Sequence, residues 1–180
     1  MDIQKDLERT LLTENEIQNR IVALAENINR DYHGKPLIVI CILRGSVIFM
    51  ADLIRKLNLP LSYDFMAVSS YGDAASTSGT IRINYDIKTD IKGKDILIVE
   101  DIIDTGRTLD RLKTILQAKE PASLRIITLL DKPERREVEV TVDYVGFTIP
   151  DEFVVGYGLD YANRYRNLPY IAVLKREVYS

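Results

Sequence analysis

The chain has 180 residues, 46% of them hydrophobic, which suits one domain, residues 1–180, with a sizeable core. Its net charge of −3 advertises no nucleic-acid or anionic-membrane surface, and its single cysteine, Cys41, excludes an internal disulfide. The longest apolar run is far too short to span a bilayer. The opening MDIQKDLERT lacks the basic start and apolar middle of a signal peptide, so a cytoplasmic location is expected.

In chain order, Thr13-Glu14-Asn15-Glu16 reads as a capping box opening a helix. Ile17, Ile21, Leu24, Ala25 and Ile28 fall along one face of it, and Gly34 and Pro36 stop it. His33, the only histidine, falls in the exit turn and reads as a surface residue. Leu37 to Leu43 is an unbroken apolar run, as expected of a strand covered on both faces, with Cys41 inside the core. It ends in Arg44-Gly45-Ser46, and a helix is predicted over Val47 to Leu57 with Ser46 as its N-cap. Arg44 is either a solvated arginine in a capped turn or a guanidinium suited to a pyrophosphate.

Leu61 to Ser69 reads as a strand. The stretch SYGDAASTSGT, residues 70–80, offers no apolar anchor beyond Tyr71 and is too long for an idle hairpin connection. Ile81 to Ile87 would be the returning strand. Ile96 to Val99 is another unbroken apolar run, and it ends in Glu100 and Asp101. Asp104 and the turn Thr105-Gly106-Arg107-Thr108 follow, and a helix is predicted from about Thr105.

This strand–loop–helix carries its polar residues at the carboxyl end of the strand, where open α/β sheets bind ligands. Backbone N–H groups at the helix start, two hydroxyls and a possible cation make a phosphate cradle. Glu100 and Asp101 can accept from sugar hydroxyls or bind Mg²⁺. Three acids within a few residues would repel one another unless something positive sits among them.

Beyond it, Ser123 to Leu130 is a buried strand ending in Asp131-Lys132-Pro133, and residues 134–139 are charge-rich and exposed. Val138, Val140 and Val142 alternate as an edge strand would. Phe153 and Val154 begin a short apolar piece closed by Gly156 and Gly158, with Asp160, Arg164 and Arg166 in an aromatic, polar loop. Tyr170 to Lys175 is a final strand. No internal repeat, linker or low-complexity segment is visible.

VEDIIDTGRTL resembles the phosphoribosyl-pyrophosphate (PRPP) binding motif of the type I phosphoribosyltransferases, and IPDEFVVGYGLDY is similar to a segment of their hypoxanthine-guanine members. The resemblance runs from about Leu37 to Arg166. It implies an α/β fold, a mainly parallel central sheet flanked by helices, with a small hood formed by the N-terminal segment and about residues 147–170. It implies transfer of 5-phosphoribosyl from PRPP to N9 of hypoxanthine or guanine, giving IMP or GMP and pyrophosphate.

By the same resemblance the 5′-phosphate falls on Asp104, Thr105, Gly106, Arg107 and Thr108, with Asp104 as general base. Ribose hydroxyls and Mg²⁺ fall near Glu100 and Asp101, with Asp160 assisting a second ion. Pyrophosphate falls on Arg44, Gly45 and Arg166; Arg44 stands where many members carry Lys. Ser70 and Tyr71 begin a loop that closes over the reaction centre. Lys132 donates to the 6-oxygen of the base, Phe153 stacks on the purine and the Val154 backbone meets its edge. A homodimer or homotetramer is implied. The alternative is a non-catalytic regulator on the same fold that senses PRPP or nucleotide. It is disfavoured, because no basic cluster is present to hold a nucleic acid.

Overall fold

The computed structural model describes residues 3–70 and 81–180. A 3₁₀ turn, Ile3–Asp6, leads into β1 (Leu7–Leu12), and α1 (Glu14–Asp31) follows. The capping box is formed: the Thr13 side chain accepts from the Glu16 N–H, and the Glu16 carboxylate accepts from the Thr13 N–H at 2.8 Å. Then come β2 (Leu37–Leu43), α2 (Val47–Ile54), β3 (Leu61–Ser70), β4 (Ile81–Tyr85), β5 (Asp95–Ile103), α3 (Arg107–Gln117) and β6 (Ser123–Asp131). The chain ends through β7 (Tyr144–Thr148), β8 (Val154–Val155), β9 (Ile171–Leu174) and α4 (Arg176–Tyr179).

Six strands form the main sheet in the order β4-β3-β2-β5-β6-β7, parallel throughout except for the antiparallel edge strand β4. Alternation along β2 explains its unbroken apolar run. Leu37, Val39 and Cys41 face a core built with α1 and α2, while Ile38, Ile40 and Ile42 face a second core built with α3. With helices on both faces, neither side of a central strand can be polar.

From β2 the chain winds outward to β3, and from β5 it winds the other way to β6 and β7. The order therefore reverses between β2 and β5, and the loops leaving these two strands splay apart at their carboxyl ends. Above that crevice stands a second sheet, β1-β9-β8, antiparallel, in which Leu7 pairs with Leu174 and Val154 with Val173. The expected hood is thus made by the first strand and the last two.

Several local expectations are corrected. The valines at 138, 140 and 142 form no strand. Val140 is buried against Leu109 and Leu112 of α3, and the edge beside β6 is taken by β7. Ser46 does not cap α2 with its side chain, because its hydroxyl donates back to the Ile42 carbonyl and lies 3.2 Å from Cys41 Sγ. The helix from Val47 ends at Ile54 rather than Leu57, and the one expected from about Thr105 begins at Arg107. Cys41 is buried as expected, and burial pushes its thiol up to about 11. His33 is exposed. Among the described residues no helix is long and apolar enough to cross a membrane.

Candidate active site

Three adjoining clefts meet at Ile102, on the carboxyl end of β5. The first is lined by Glu100, Asp104, Thr105, Gly106 and Thr108. The second is lined by Arg44, Gly45, Glu100, Asp101 and Thr108, and the third by Asp104, Lys132, Arg135, Phe153, Val154 and Asp160. Outside the stretch 70–80, the expected site residues other than Arg107 and Arg166 therefore line clefts on one edge of the sheet. Ser70 ends β3, and Tyr71 with the loop expected to close over the centre lies outside the described residues.

The first cleft is a turn at a helix start. Gly106 has φ +83°, a left-handed conformation that costs a side-chain-bearing residue strain, and a Cβ there would lie 2.5 Å from the Val138 carbonyl oxygen. The N–H groups of Glu137 and Val138 donate to the Thr105 carbonyl at 3.0 and 3.1 Å, so residues 137–138 brace the turn from outside. Arg107 departs from expectation. Its guanidinium reaches outward to Glu137, with Nε 2.6 Å from the carboxylate, and it does not line the cleft. The cradle is left to N–H groups and the hydroxyls of Thr105 and Thr108, which suit a phosphate dianion at a helix N-terminus.

In the second cleft Glu100 and Asp101 end up side by side in low-dielectric surroundings. Burial first, and the neighbouring Asp101 charge second, raise the Glu100 carboxyl well above its ordinary value. Burial pushes Asp101 up to about 6, against the lowering effect of the Ile102 N–H and Arg166. Among the described residues neither carboxylate forms an ion pair. Gly45 is packed against Asp101 so closely that a Cβ would overlap its Oδ2.

Asp160, expected to assist a second ion, lies close enough to raise the Asp101 carboxyl. It pairs with Arg166 Nη2 at 2.6 Å, and no three acidic, histidine or cysteine side chains gather into a metal-holding cluster among the described residues. Asp104 lines the first cleft with Glu100 and is ion-paired with Arg135. Two adjacent hard-oxygen donors lacking a counter-ion still fit Mg²⁺, which keeps several waters and binds through one or two carboxylates.

The third cleft has one side chain clearly fixed for recognition. Lys132, 7% exposed, donates from Nζ to the Glu152 carbonyl at 2.6 Å and lies 3.7 Å from Asp151. An ammonium has three donors, so others remain for a ligand. Phe153 stacks on Tyr179 of α4 at 4.5 Å and 20° and meets Tyr161 near-perpendicularly at 5.7 Å, and it remains among the exposed large hydrophobic residues lining this cleft. Arg135 Nε lies 2.8 Å from Asp104 Oδ1 but off the direction of a hydrogen bond. That buried oxygen therefore has no hydrogen-bond partner among the described residues. Arg136 braces the same residue from behind, donating to the Asp104 carbonyl at 3.2 Å.

Sequence reasoning missed Arg135, Arg136 and Tyr179. The two arginines were visible only as part of a charge-rich stretch. Their position four and five residues past a strand that ends at the site was the signal to use. Nothing local marks Tyr179, whose role depends on the fold returning the chain end to Phe153.

The comparisons agree with this geometry. Residues 10–162 match the model of the phosphoribosyl transferase domain. The hypoxanthine phosphoribosyltransferase of Haemophilus influenzae is 57% identical over 89% of this chain and 92% of its own length. The hypoxanthine-guanine phosphoribosyltransferase of Staphylococcus aureus is 51% identical over 99% of both chains. A crystal structure of a hypoxanthine phosphoribosyltransferase from Staphylococcus aureus superposes with a TM-score of 0.96 at 50% identity, covering 100% of this chain and 98% of that one. With its mainly parallel sheet, its β2/β5 crevice and its hood, the chain belongs to the phosphoribosyltransferase family.

Proposed function

We propose that the chain is a purine salvage transferase that moves 5-phosphoribosyl from PRPP to N9 of hypoxanthine or guanine, releasing pyrophosphate. The observation that carries this reading is the meeting of three clefts at Ile102: an N–H-lined cradle, a paired-carboxylate cleft beside Arg44 and a lysine-bearing cleft beside Phe153. Their contents suit a 5-phosphate, a ribose with pyrophosphate, and a 6-oxopurine. The regulator alternative finds no support, since the relatives are named as enzymes.

In this reading the bond from C1 of the ribose to the pyrophosphate oxygen breaks as the bond to N9 forms, and the ribosyl carbon passes through an oxocarbenium-like state. Arg44, which lines the second cleft, and Arg166, held by Asp160 and the Gly158 carbonyl, take up the charge of the leaving group. Thr105, Gly106 and Thr108 hold the 5′-phosphate still, so that C1 is the part free to move. Lys132 donates to the 6-oxygen and Phe153 stacks on the ring, presenting N9 toward the crevice. The Asp104 carboxylate, which lines both the cradle and the base cleft, accepts the N7 proton as N9 attacks. A Mg²⁺ ion on Glu100 and Asp101, when bound, would neutralise charge on the ribose and pyrophosphate oxygens.

A cytoplasmic enzyme acting as one domain, and assembling as a homodimer or homotetramer, completes the proposal. Tyr63, Ile83 and Tyr85 on β3 and β4, and Val47 on α2, are large exposed apolar residues of the kind a second copy covers. Incubating the protein with hypoxanthine, PRPP and Mg²⁺ should give IMP and pyrophosphate in equal amounts. Pyrophosphate release that does not depend on a purine would overturn the reading.

A further inference from the structure

Two contacts grip the unit made of the Arg44–Ser46 turn and α2, and both come from the hood. At the near end Gly158 lies so close that a Cβ on it would overlap the Gly45 carbonyl oxygen. At the far end the Tyr157 hydroxyl donates to Asp52 Oδ2, in the last turn of α2. Gln18 Nε2 of α1 donates to the same oxygen at 2.9 Å and lies 3.5 Å from the Tyr157 hydroxyl. Burial opposes ionisation of Asp52. The bonds from Tyr157, Gln18 and Arg55 outweigh it and hold that carboxyl below its ordinary value.

Tyr157 is built to make this contact. It is 3% exposed and packs in the same core as Phe49 and Leu53 of α2. Its φ of 51° lies in the left-handed region, and its N–H is fixed to the Leu168 carbonyl at 2.9 Å. The flanking Gly158 N–H donates to the Arg166 carbonyl at 3.0 Å, and Arg166 Nη1 donates back to the Gly158 carbonyl at 2.6 Å. The backbone that carries the Tyr157 ring therefore also carries the Arg166 guanidinium. Phe49, Met50 and Leu53 seat α2 in the core, the Gly158–Gly45 contact sets the height of its leading turn, and the Asp52 bond adds a directional polar tie from the hood to its last turn.

We propose that Tyr157 is a positioning residue for the pyrophosphate end of the site. Its hydrogen bond to Asp52 keeps Arg44 and Gly45 in register with Asp160 and Arg166 across the crevice. The proposal rests on the reading of that crevice as the pyrophosphate subsite.

The decisive comparison is Tyr157→Phe against Tyr144→Phe. Tyr144 donates its hydroxyl to Asp31 at 2.7 Å and accepts from Arg125 Nη1 at 2.7 Å, at the opposite end of the sheet, so the control variant loses a tyrosine–aspartate bond of the same kind and no less hydrogen bonding. Both should lower the melting temperature. Only Tyr157→Phe should raise KM for PRPP, by roughly tenfold, while KM for hypoxanthine moves less than about twofold. Amide exchange over residues 44–47 should quicken in that variant alone.

Combined with Asp52→Ala, which removes the acceptor, Tyr157→Phe should add little, because the bond it would break is already gone. Equal PRPP KM in the two tyrosine variants would overturn the proposal. If Tyr157→Phe does not fold, Asp52→Ala takes its place in the same comparison. If the unaltered enzyme shows no PRPP-dependent turnover, the functional reading fails instead. The exchange measurement then decides the positioning claim, and unchanged exchange over residues 44–47 overturns it.

Discussion

Asp104 is the residue whose chemistry is most exposed to test. Its carboxylate lines both the cradle and the base cleft, and its buried Oδ1 sits beside Arg135 with no hydrogen-bond partner among the described residues. Asp104→Asn should lose ~10²–10⁴-fold in kcat while still binding GMP, checked by turnover and nucleotide titration. Lys132 decides which base enters. Its remaining donors meet a 6-oxygen well and a 6-amino group badly, and sites built on such a bond can reject the mismatched analogue by ~10⁴–10⁵. Adenine should fall short of hypoxanthine and guanine in kcat/KM to about that degree, and Lys132→Ala should hurt the 6-oxo bases most.

Glu100 and Asp101 make a third test, of stability rather than rate. The Asp101 carboxyl ionises near pH 4 in an unfolded chain and at about 6 when folded. Between those values the folded state holds the extra proton, so this group's contribution to stability falls as pH rises. Glu100 is displaced in the same direction. Glu100→Gln should therefore raise the melting temperature of the metal-free protein at pH 8, with an advantage that shrinks toward pH 4. Most of these residues were legible in the sequence, because a strand end followed by acids and a glycine turn is a local pattern. Arg107 was misread, since the Glu137 that draws its guanidinium away lies thirty residues on.

Among the elements, legibility followed how local the cause was. The α1 start was fully written in Thr13 and Glu16, and Thr13→Ala should cost ~1 kcal/mol by thermal or urea unfolding, with kcat unchanged. The buried strands β2, β5 and β6 announced themselves by apolar runs that two covered faces require. β1 and β7 did not. The sequence LERTLL has no clean alternation, and it becomes a strand only by pairing with β9 at the far end of the chain. β7 was overlooked in favour of the alternating valines just before it. Its place beside β6 is secured partly from outside, by Arg20 of α1, whose guanidinium donates to the Val145 and Gly146 carbonyls at 2.6 and 2.7 Å. No period-2 pattern can signal that.

For the molecule as a whole, the site is the place where separately folded pieces must agree. Chelating Mg²⁺ should abolish turnover, and replacing it should restore turnover. Added Mg²⁺ should also raise the melting temperature at pH 8 in the unaltered protein more than in Glu100→Gln, a readout that needs no catalysis. The arrangement of the hood has a further consequence, in time rather than space. β9 is its central strand, with β1 on one side and β8 on the other, so the first strand synthesised waits for the last before it can pair. During synthesis the six-stranded sheet can close and the phosphate cradle can form while β1 is still unpartnered. A chain stalled before Ile171 would carry a finished cradle with no lid over its base cleft, and the apolar faces of Leu11 and Leu12 would be left for a chaperone to hold.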